Sequence, residues 1–279
     1  MLKKTYNEGP LTRFNDFHRK AQNHQHEGSA MKHRFLSVII VTIVVLGGVC
    51  STFAAEKLLV AVAANFISPS GEIAALFQER TGITVEPTYA STGKLFGQIV
   101  KGAPYDVFLA ADEKRPELLE KQGLSDKPFV YARGQVVVWT AKRTLCGASD
   151  WQAVVENPEV QKIAVANTES APYGTAAMIA LKQAGLWDKL KEKYVFPQSV
   201  AQAFQYAETM SADAGFCAYS SALSDKGKGG CVYTIPQAPP VIQAACILKG
   251  TENRAAAERF VTFMGSPEAQ KIKEKYGYR

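Results

Sequence analysis

Residues 58–110 read LLVAVAANFISPSGEIAALFQERTGITVEPTYASTGKLFGQIVKGAPYDVFLA, and their pattern decides the fold. The stretch opens with LLVAVA (58–63), a continuous apolar run suited to a strand buried on both faces. Ser68-Pro69-Ser70 supplies helix-start signals. Ile73, Leu76, Phe77 and Arg80 then follow at helical spacing up to Gly82, a natural C-cap. Residues 83–89 read as a second strand. Ser91-Thr92-Gly93 opens a second helix, with Leu95, Phe96 and Ile99 on one face and Gly102 at its end. Residues 105–110 (YDVFLA) read as a third strand. Strands alternating with helices in this way predict right-handed βαβ units and a parallel sheet, hence an α/β fold.

The pattern restarts further on. Residues 135–140 (QVVVWT) and 162–166 (KIAVA) read as strands, 171–184 as a helix running into Gly185, and 200–210 as another helix. A strand at 215–219, a solvated turn at 226–230 (KGKGG) and strands at 232–235 and 241–248 follow, before helices at 252–264 and 267–276. No internal repeat and no long low-complexity linker is visible, so two α/β halves joined by short crossings are expected.

Upstream of this body, Met31-Lys32-His33-Arg34 is basic, residues 35–49 are mostly apolar, and Thr52-Phe53-Ala54-Ala55 is rich in small residues. That is the layout of a secretory signal peptide at 31–54, cut after Ala54. The apolar run is short for the roughly 20 residues a bilayer requires. Cys50 raises a lipoprotein reading, but the bulky Val49 before it fits a lipobox poorly. Residues 1–30 are polar and unpatterned and read as an extension outside the mature protein, with Met31 as the start.

This division changes what the charge means. The chain of 279 residues carries a formal charge of +6, from 32 Lys and Arg against 26 acids. Seven of the basic residues and three of the acids precede residue 55, which leaves a body near neutrality. A nucleic-acid binder that works by neutralising phosphates is therefore not expected. All 4 histidines (His18, His24, His26, His33) also lie before residue 55. The body thus lacks the means for a Ser–His–Asp triad, a Cys–His dyad or a His-ligated zinc or iron site. Cys146, Cys217, Cys231 and Cys246 follow the expected cut, show no CxxC spacing, and allow three complete pairings. Export favours disulfides, while the apolar runs around Cys217 and Cys246 favour plain buried thiols, and both readings stand.

The chemistry concentrates at strand-to-helix turns, where open α/β sheets bind ligands. Small, hydroxyl or amide residues occupy four of them: Ala64-Asn65, Ser91-Thr92-Gly93, Ala171-Pro172-Tyr173-Gly174 and Ser199-Val200. No Lys or Arg sits at the centre of any, although Lys94 follows the second closely. Four helix starts at about +0.5 each sum to about +2, nominally a match for a dianion. Each residue also has an ordinary structural job: Ser91 and Thr92 as N-caps, Asn65 in a tight turn, Tyr173 as a packing aromatic.

Several stretches carry a resemblance: VAVAANF (60–66), YASTGKLFGQIVKGAPYDVFLAADE (89–113), ANTESAPYGTAA (166–177), QSVAQA (198–203), AGFCAYS (214–220) and SPEAQKIKEKYGY (266–278). GAPYDVFLAAD and APYG are the specific parts. Together the stretches resemble the periplasmic molybdate-binding proteins of ABC importers, within the type II periplasmic solute-binding superfamily. The resemblance implies a two-lobed fold, each lobe a mainly parallel sheet flanked by helices, with the ligand in the cleft between them. The expected lobes are 55–134 plus 241–279, and 135–240. It also implies a periplasmic, monomeric, non-catalytic protein without cofactor. Its partners would be a small oxyanion, molybdate or tungstate, and the membrane permease that reads the closed form. Carried over position by position, the oxyanion contacts fall on Ala64, Asn65, Ser91, Thr92, Tyr173 and Val200, with molybdenum held only through its oxygens. Some family members donate a Tyr hydroxyl from the strand matched here by 215–219. Aligned on Gly215, that position is Ala218, with Tyr219 one step on; Tyr219 is carried as the last contact, although strand alternation would turn it away from the ion and Asn65 with APYG resembles a subgroup of the family that lacks this Tyr.

A fully deprotonated oxyanion needs only donors, whereas monoprotonated phosphate also needs an acceptor. None of the four turns centres on a carboxylate, although Asp106 and Asp112 lie near the second. That favours molybdate, tungstate or sulfate over phosphate, with sulfate, thiosulfate or another oxyanion as the rival ligands. A ferric-ion binder would need tyrosine or histidine ligands that this body does not group. A secreted Ser or Cys hydrolase would need a base that it lacks, and Ser91 sits in no G-x-S-x-G elbow. A sensor or adhesin subunit on the same fold is the remaining alternative.

Overall fold

The computed structural model describes residues 56–279; the expected extension (1–30) and signal peptide (31–54) lie outside the described residues. Strand β1 (Lys57–Ala63) leads through a 3-10 turn, Ala64–Phe66, into helix α1 (Ile67–Thr81). Strand β2 (Thr84–Ala90), helix α2 (Thr92–Val100), strand β3 (Val107–Leu109) and helix α3 (Lys114–Lys121) follow. Next come β4 (Phe129–Gly134), β5 (Val136–Thr140), α4 (Trp151–Glu156), β6 (Ile163–Val165) and α5 (Pro172–Gln183). The chain continues with β7 (Tyr194–Val195), α6 (Val200–Glu208), β8 (Ala214–Ala218), the short α7 (Tyr219–Ala222) and β9 (Cys231–Thr234). It ends with β10 (Val241–Ile247), α8 (Arg254–Met264) and α9 (Pro267–Lys275).

Two sheets of 5 strands result, ordered β2-β1-β3-β10-β4 and β7-β6-β8-β5-β9. β1 lies parallel to both β2 and β3, with Val60 beside Pro87 on one side and Val107 on the other. Paired on both edges and covered on both faces, Leu58, Val60, Ala61 and Val62 are almost wholly shielded from water, which is why this strand is apolar without alternation. β6 occupies the same place in the second sheet, parallel to β7 and β8. The expected parallel character stops there. β10 runs antiparallel to β3 and β4, and β5 antiparallel to β8 and β9, so each sheet is mixed. The reason lies in the connections. Parallel pairs come from βαβ units, whereas β4, β5, β9 and β10 lead the chain from one sheet to the other and back. The two sheets therefore repeat one another's strand arrangement although no sequence repeat is visible.

Each sheet has its own core. Ile73 and Phe77 of α1 pack with Leu58, Val60 and Val62, and Phe77 meets Phe260 of α8 edge-on at 5.2 Å between ring centres. Trp151 and Phe216 meet likewise at 6.0 Å in the second. Five short elements, β4, α3, α4, β7 and α7, escape a sequence reading; FVYARG is broken by Arg133, and KRPELLEK is dominated by charged residues. The end of the chain returns to β4: Arg279 donates its amide to the Arg133 carbonyl at 3.1 Å and accepts from the Arg133 amide at 2.8 Å. No described helix is long and apolar enough to cross a membrane.

The cysteines divide between the two readings. Cys146, just past β5, is bonded to Cys231 at the start of the edge strand β9, whereas Cys217 and Cys246 are buried thiols. Burial pushes the Cys246 thiol up to about 12 and the Cys217 thiol higher still, so both stay protonated and inert. The disulfide closes a loop of 85 residues. In the chain-entropy account, opening it costs about 4.6 kcal/mol. The double substitution Cys146→Ser/Cys231→Ser is expected to lower the urea midpoint accordingly with the circular dichroism spectrum retained; an unchanged midpoint would show that the bridge adds nothing.

Candidate functional site

Six of the expected contacts converge. Ala64, Asn65, Ser91, Thr92, Tyr173 and Val200, all buried, line one chamber between the two lobes, together with Ala63, Ala111, Ala171 and Pro172. The space left for the centre of a water-sized sphere is about 10 Å³, room for about one small occupant. Its walls come from the segments that follow β1, β2, β3, β6 and β7, including the helix starts among them. Three α-helices, α2, α5 and α6, open onto it at Thr92, Pro172 and Val200. The fourth turn differs from expectation: Ala64–Phe66 is a single 3-10 turn, and α1 opens only after it, at Ile67. Three helix starts carry about +1.5 of partial charge rather than about +2.

At a helix start the first amides have no carbonyl one turn back to bond. Among the described residues, the amides of Thr92, Tyr173 and Val200 have no hydrogen-bond partner. Side chains that commonly fill this gap do not all do so. Ser199 caps α6 by accepting from the Gln202 amide, but Ser91, in the N-cap position of α2 and buried, caps nothing. Thr92 is 1% exposed, and its hydroxyl oxygen accepts from the Ala111 amide at 3.0 Å. That bond occupies a lone pair and leaves the hydroxyl hydrogen available as a donor. In α5, Pro172 takes the first position, where its missing N–H is no loss. Gly174 lets the helix press against the strand end, since a Cβ there would stand 2.1 Å from the Ala166 carbonyl oxygen. The APYG motif is thus a tight seat for a helix start.

No carboxylate, lysine or arginine lines the chamber among the described residues. Asp106 serves elsewhere: its carboxylate accepts from the Leu59 amide at 2.7 Å and from Thr251 and Asn253 ahead of α8. Asp112 lines an outer groove and pairs with Arg115. Arg115 also donates to the Glu169 carbonyl at 2.7 Å, a contact between the lobes, and beside it the Gly93 amide donates to the Ser170 carbonyl at 2.8 Å. The lobes are therefore closed on this side. No group of three or more His, Cys, Asp or Glu suited to a metal ion occurs among the described residues.

On the other side lies a polar cluster that the sequence reading missed. Asn65 Nδ2 donates to Gln243 Oε1 at 2.7 Å and to the Tyr278 hydroxyl at 2.9 Å. Tyr131 donates to the same Gln243 oxygen at 3.0 Å, and Gln243 Nε2 donates to the Tyr173 hydroxyl at 3.2 Å. Ser220 and Tyr278 both donate to the Asn65 carbonyl, at 2.7 and 2.8 Å. Tyr173 thus offers its amide to the chamber while its phenol reaches across to the other lobe. Burial, with the neighbouring Tyr278, holds that phenol well above its ordinary 10.0, so it stays neutral. Burial likewise raises Tyr131 and Tyr278. Gln243 had one signal, as the lone polar residue in a buried run, VIQAACI.

Tyr219 is the expected contact that does not join the rest. Strand β8 ends at Ala218, and Tyr219 begins α7. Its ring lies against Gly277, where an added Cβ would be 2.5 Å from Tyr219 Cδ1, and it does not line the chamber. Because Tyr219 is the first residue of α7 and lies outside β8, its side chain follows the helix and packs on Gly277.

The profile of the bacterial extracellular solute-binding protein family matches residues 58–279. A molybdate-binding protein of Rhodobacter capsulatus is 37% identical over 235 residues, covering 83% of this chain and 91% of the relative. One from Azotobacter vinelandii is 39% identical over 234 residues, covering 82% and 92%. The solved periplasmic molybdate-binding protein of Azotobacter vinelandii superposes with a TM-score of 0.75 at 37% identity, covering 80% of this chain and 98% of that one. With this fold and these relatives, the chain belongs to the bacterial extracellular solute-binding protein family.

Proposed function

We propose that this protein is the periplasmic binding component of an ABC importer, capturing molybdate or tungstate and presenting it to a membrane permease. The observation that carries the reading is the uncharged chamber, lined by buried residues, where helix starts from both lobes meet with uncommitted amides. Relatives at 37% and 39% identity that are molybdate-binding proteins support the choice of ligand. In this reading the lobes are 55–134 plus 241–279, and 135–240. The protein acts as a monomer, reaches the periplasm through its signal peptide, and performs no catalysis.

The ion enters between open lobes and loses its water. The amides of Thr92, Tyr173 and Val200, with the hydroxyls of Ser91 and Thr92, replace that water from both sides. Each charge-assisted bond contributes about 1.5–3 kcal/mol. Ala64 and Asn65 form the remaining wall. A lining of amides and hydroxyls with no carboxylate suits a fully deprotonated tetrahedral dianion, whereas a protonated phosphate would find no carboxylate to take its O–H. Closure follows because the ion binds the closed state better than the open one.

Calorimetry with molybdate, tungstate, sulfate and phosphate is expected to give tight binding of the first two and little of the others; sulfate binding as strong as molybdate would overturn the assignment. Thr92→Ala is expected to weaken molybdate at least tenfold, a loss of about 1.4 kcal/mol, and unchanged affinity would reduce Thr92 to a helix-start residue. Tyr173 is the only titratable side chain lining the chamber among the described residues. Because its folded value is raised, the stability it lends is full below the unfolded value near 10 and is lost as pH climbs through the folded one. Affinity is therefore expected to be flat from about pH 6 to about pH 9, as read by tryptophan fluorescence titration. A step inside that window would reveal an ionising ligand contact.

A further inference from the structure

We infer that Gln243 and Tyr278 are positioning residues for ligand capture: they shape the chamber wall at Asn65 and bind the opposite lobe only when the lobes are closed. The inference rests on the oxyanion reading of the chamber. Both Nδ2 hydrogens of Asn65 are taken, one by Gln243 Oε1 at 2.7 Å and one by the Tyr278 hydroxyl at 2.9 Å. The Asn65 main-chain carbonyl is taken too, by Tyr278 at 2.8 Å and Ser220 at 2.7 Å. Asn65 is therefore held in one orientation, and what it presents to the chamber is set by residues 178 and 213 positions away in sequence.

The same two residues reach across. Gln243, on β10, donates to the Tyr173 hydroxyl of α5, and the single Tyr278 hydroxyl hydrogen is shared between the Asn65 carbonyl and Ser220 Oγ of α7, 3.0 Å away. Tyr173 and Ser220 belong to the lobe built on β5 to β9, whereas Asn65, Gln243 and Tyr278 belong to the other. Tyr173 carries both the amide that faces the ligand and the phenol that docks on Gln243. Its docking niche exists because residue 134 is glycine: a Cβ there would stand 2.0 Å from the Tyr173 hydroxyl and 2.7 Å from Gln243 Nε2. Gly134 ends β4, directly before the chain crosses to β5, so the niche sits beside the crossing about which the lobes close. Bonds made only after closure hold the ligand in and do not help it arrive. Their loss speeds release and leaves capture alone.

Stopped-flow fluorescence with molybdate on the purified protein and its variants tests this. Tyr278→Phe keeps the ring and removes the hydroxyl. It is expected to raise the dissociation rate about tenfold with the association rate unchanged; the hydroxyl's bonds to Asn65 lie within one lobe, so some loss of melting temperature accompanies the change. Gly134→Ala blocks the Tyr173 niche and is expected to raise the dissociation rate at least as much. Dissociation rates equal to wild type in both variants would overturn the inference, as would an affinity loss that appears only in association. Failure of the wild-type protein itself to bind molybdate would instead overturn the function on which the inference rests.

Discussion

Everything in this molecule turns on one constraint. A dianion gives up its water only where donors already point at it and have no other partner. Amides at helix starts meet that condition at no cost in fixed charge, because the helix itself leaves them unpaired. One helix start is a weak site. The fold assembles three, at Thr92, Pro172 and Val200, on a chamber with space for one small occupant. The βαβ topology makes this possible. β1 and β2 in one sheet, and β6 and β7 in the other, each lead into a turn that lines the chamber between two sheets of the same design.

The second requirement is that water be kept out once the ion is in. Two sets of contacts between the lobes flank the chamber. One is backbone and guanidinium: Gly93 to Ser170, and Arg115 to Glu169. The other is the neutral cluster of Asn65, Tyr131, Tyr173, Ser220, Gln243 and Tyr278. No buried side-chain N or O atom among the described residues lacks a partner, so the polar groups left waiting at the chamber are the helix-start amides. Glycines mark the places where backbone or side chain comes close: Gly174 behind the α5 start and Gly134 under the Tyr173 phenol.

Much of this was legible in the sequence for physical reasons. LLVAVA announced a doubly covered strand, and the turns after it carried small and hydroxyl residues where an anion site would need them. Ser91 illustrates a limit. Sequence reasoning weighs it equally as a cap or a ligand contact, and only the structure shows that it caps nothing. The Asn65–Gln243–Tyr278 cluster was out of reach, because its members meet through tertiary packing across most of the chain. The mixed sheets were missed for a related reason: strand direction at the crossings depends on which lobe the chain is entering. The net charge of +6 was the misleading feature. Most of it precedes residue 55, and the chamber has no fixed charge at all among the residues that line it.

The central claim is that the chamber itself holds the ion by neutral donors. Anomalous diffraction from crystals of the molybdate complex tests it most directly. The account predicts one strong molybdenum peak enclosed by Ser91, Thr92, Tyr173 and Val200, with amide nitrogens and hydroxyls as its nearest neighbours. A peak in the outer groove beside Lys114 and Arg115, with charged side chains as its nearest neighbours, would contradict it.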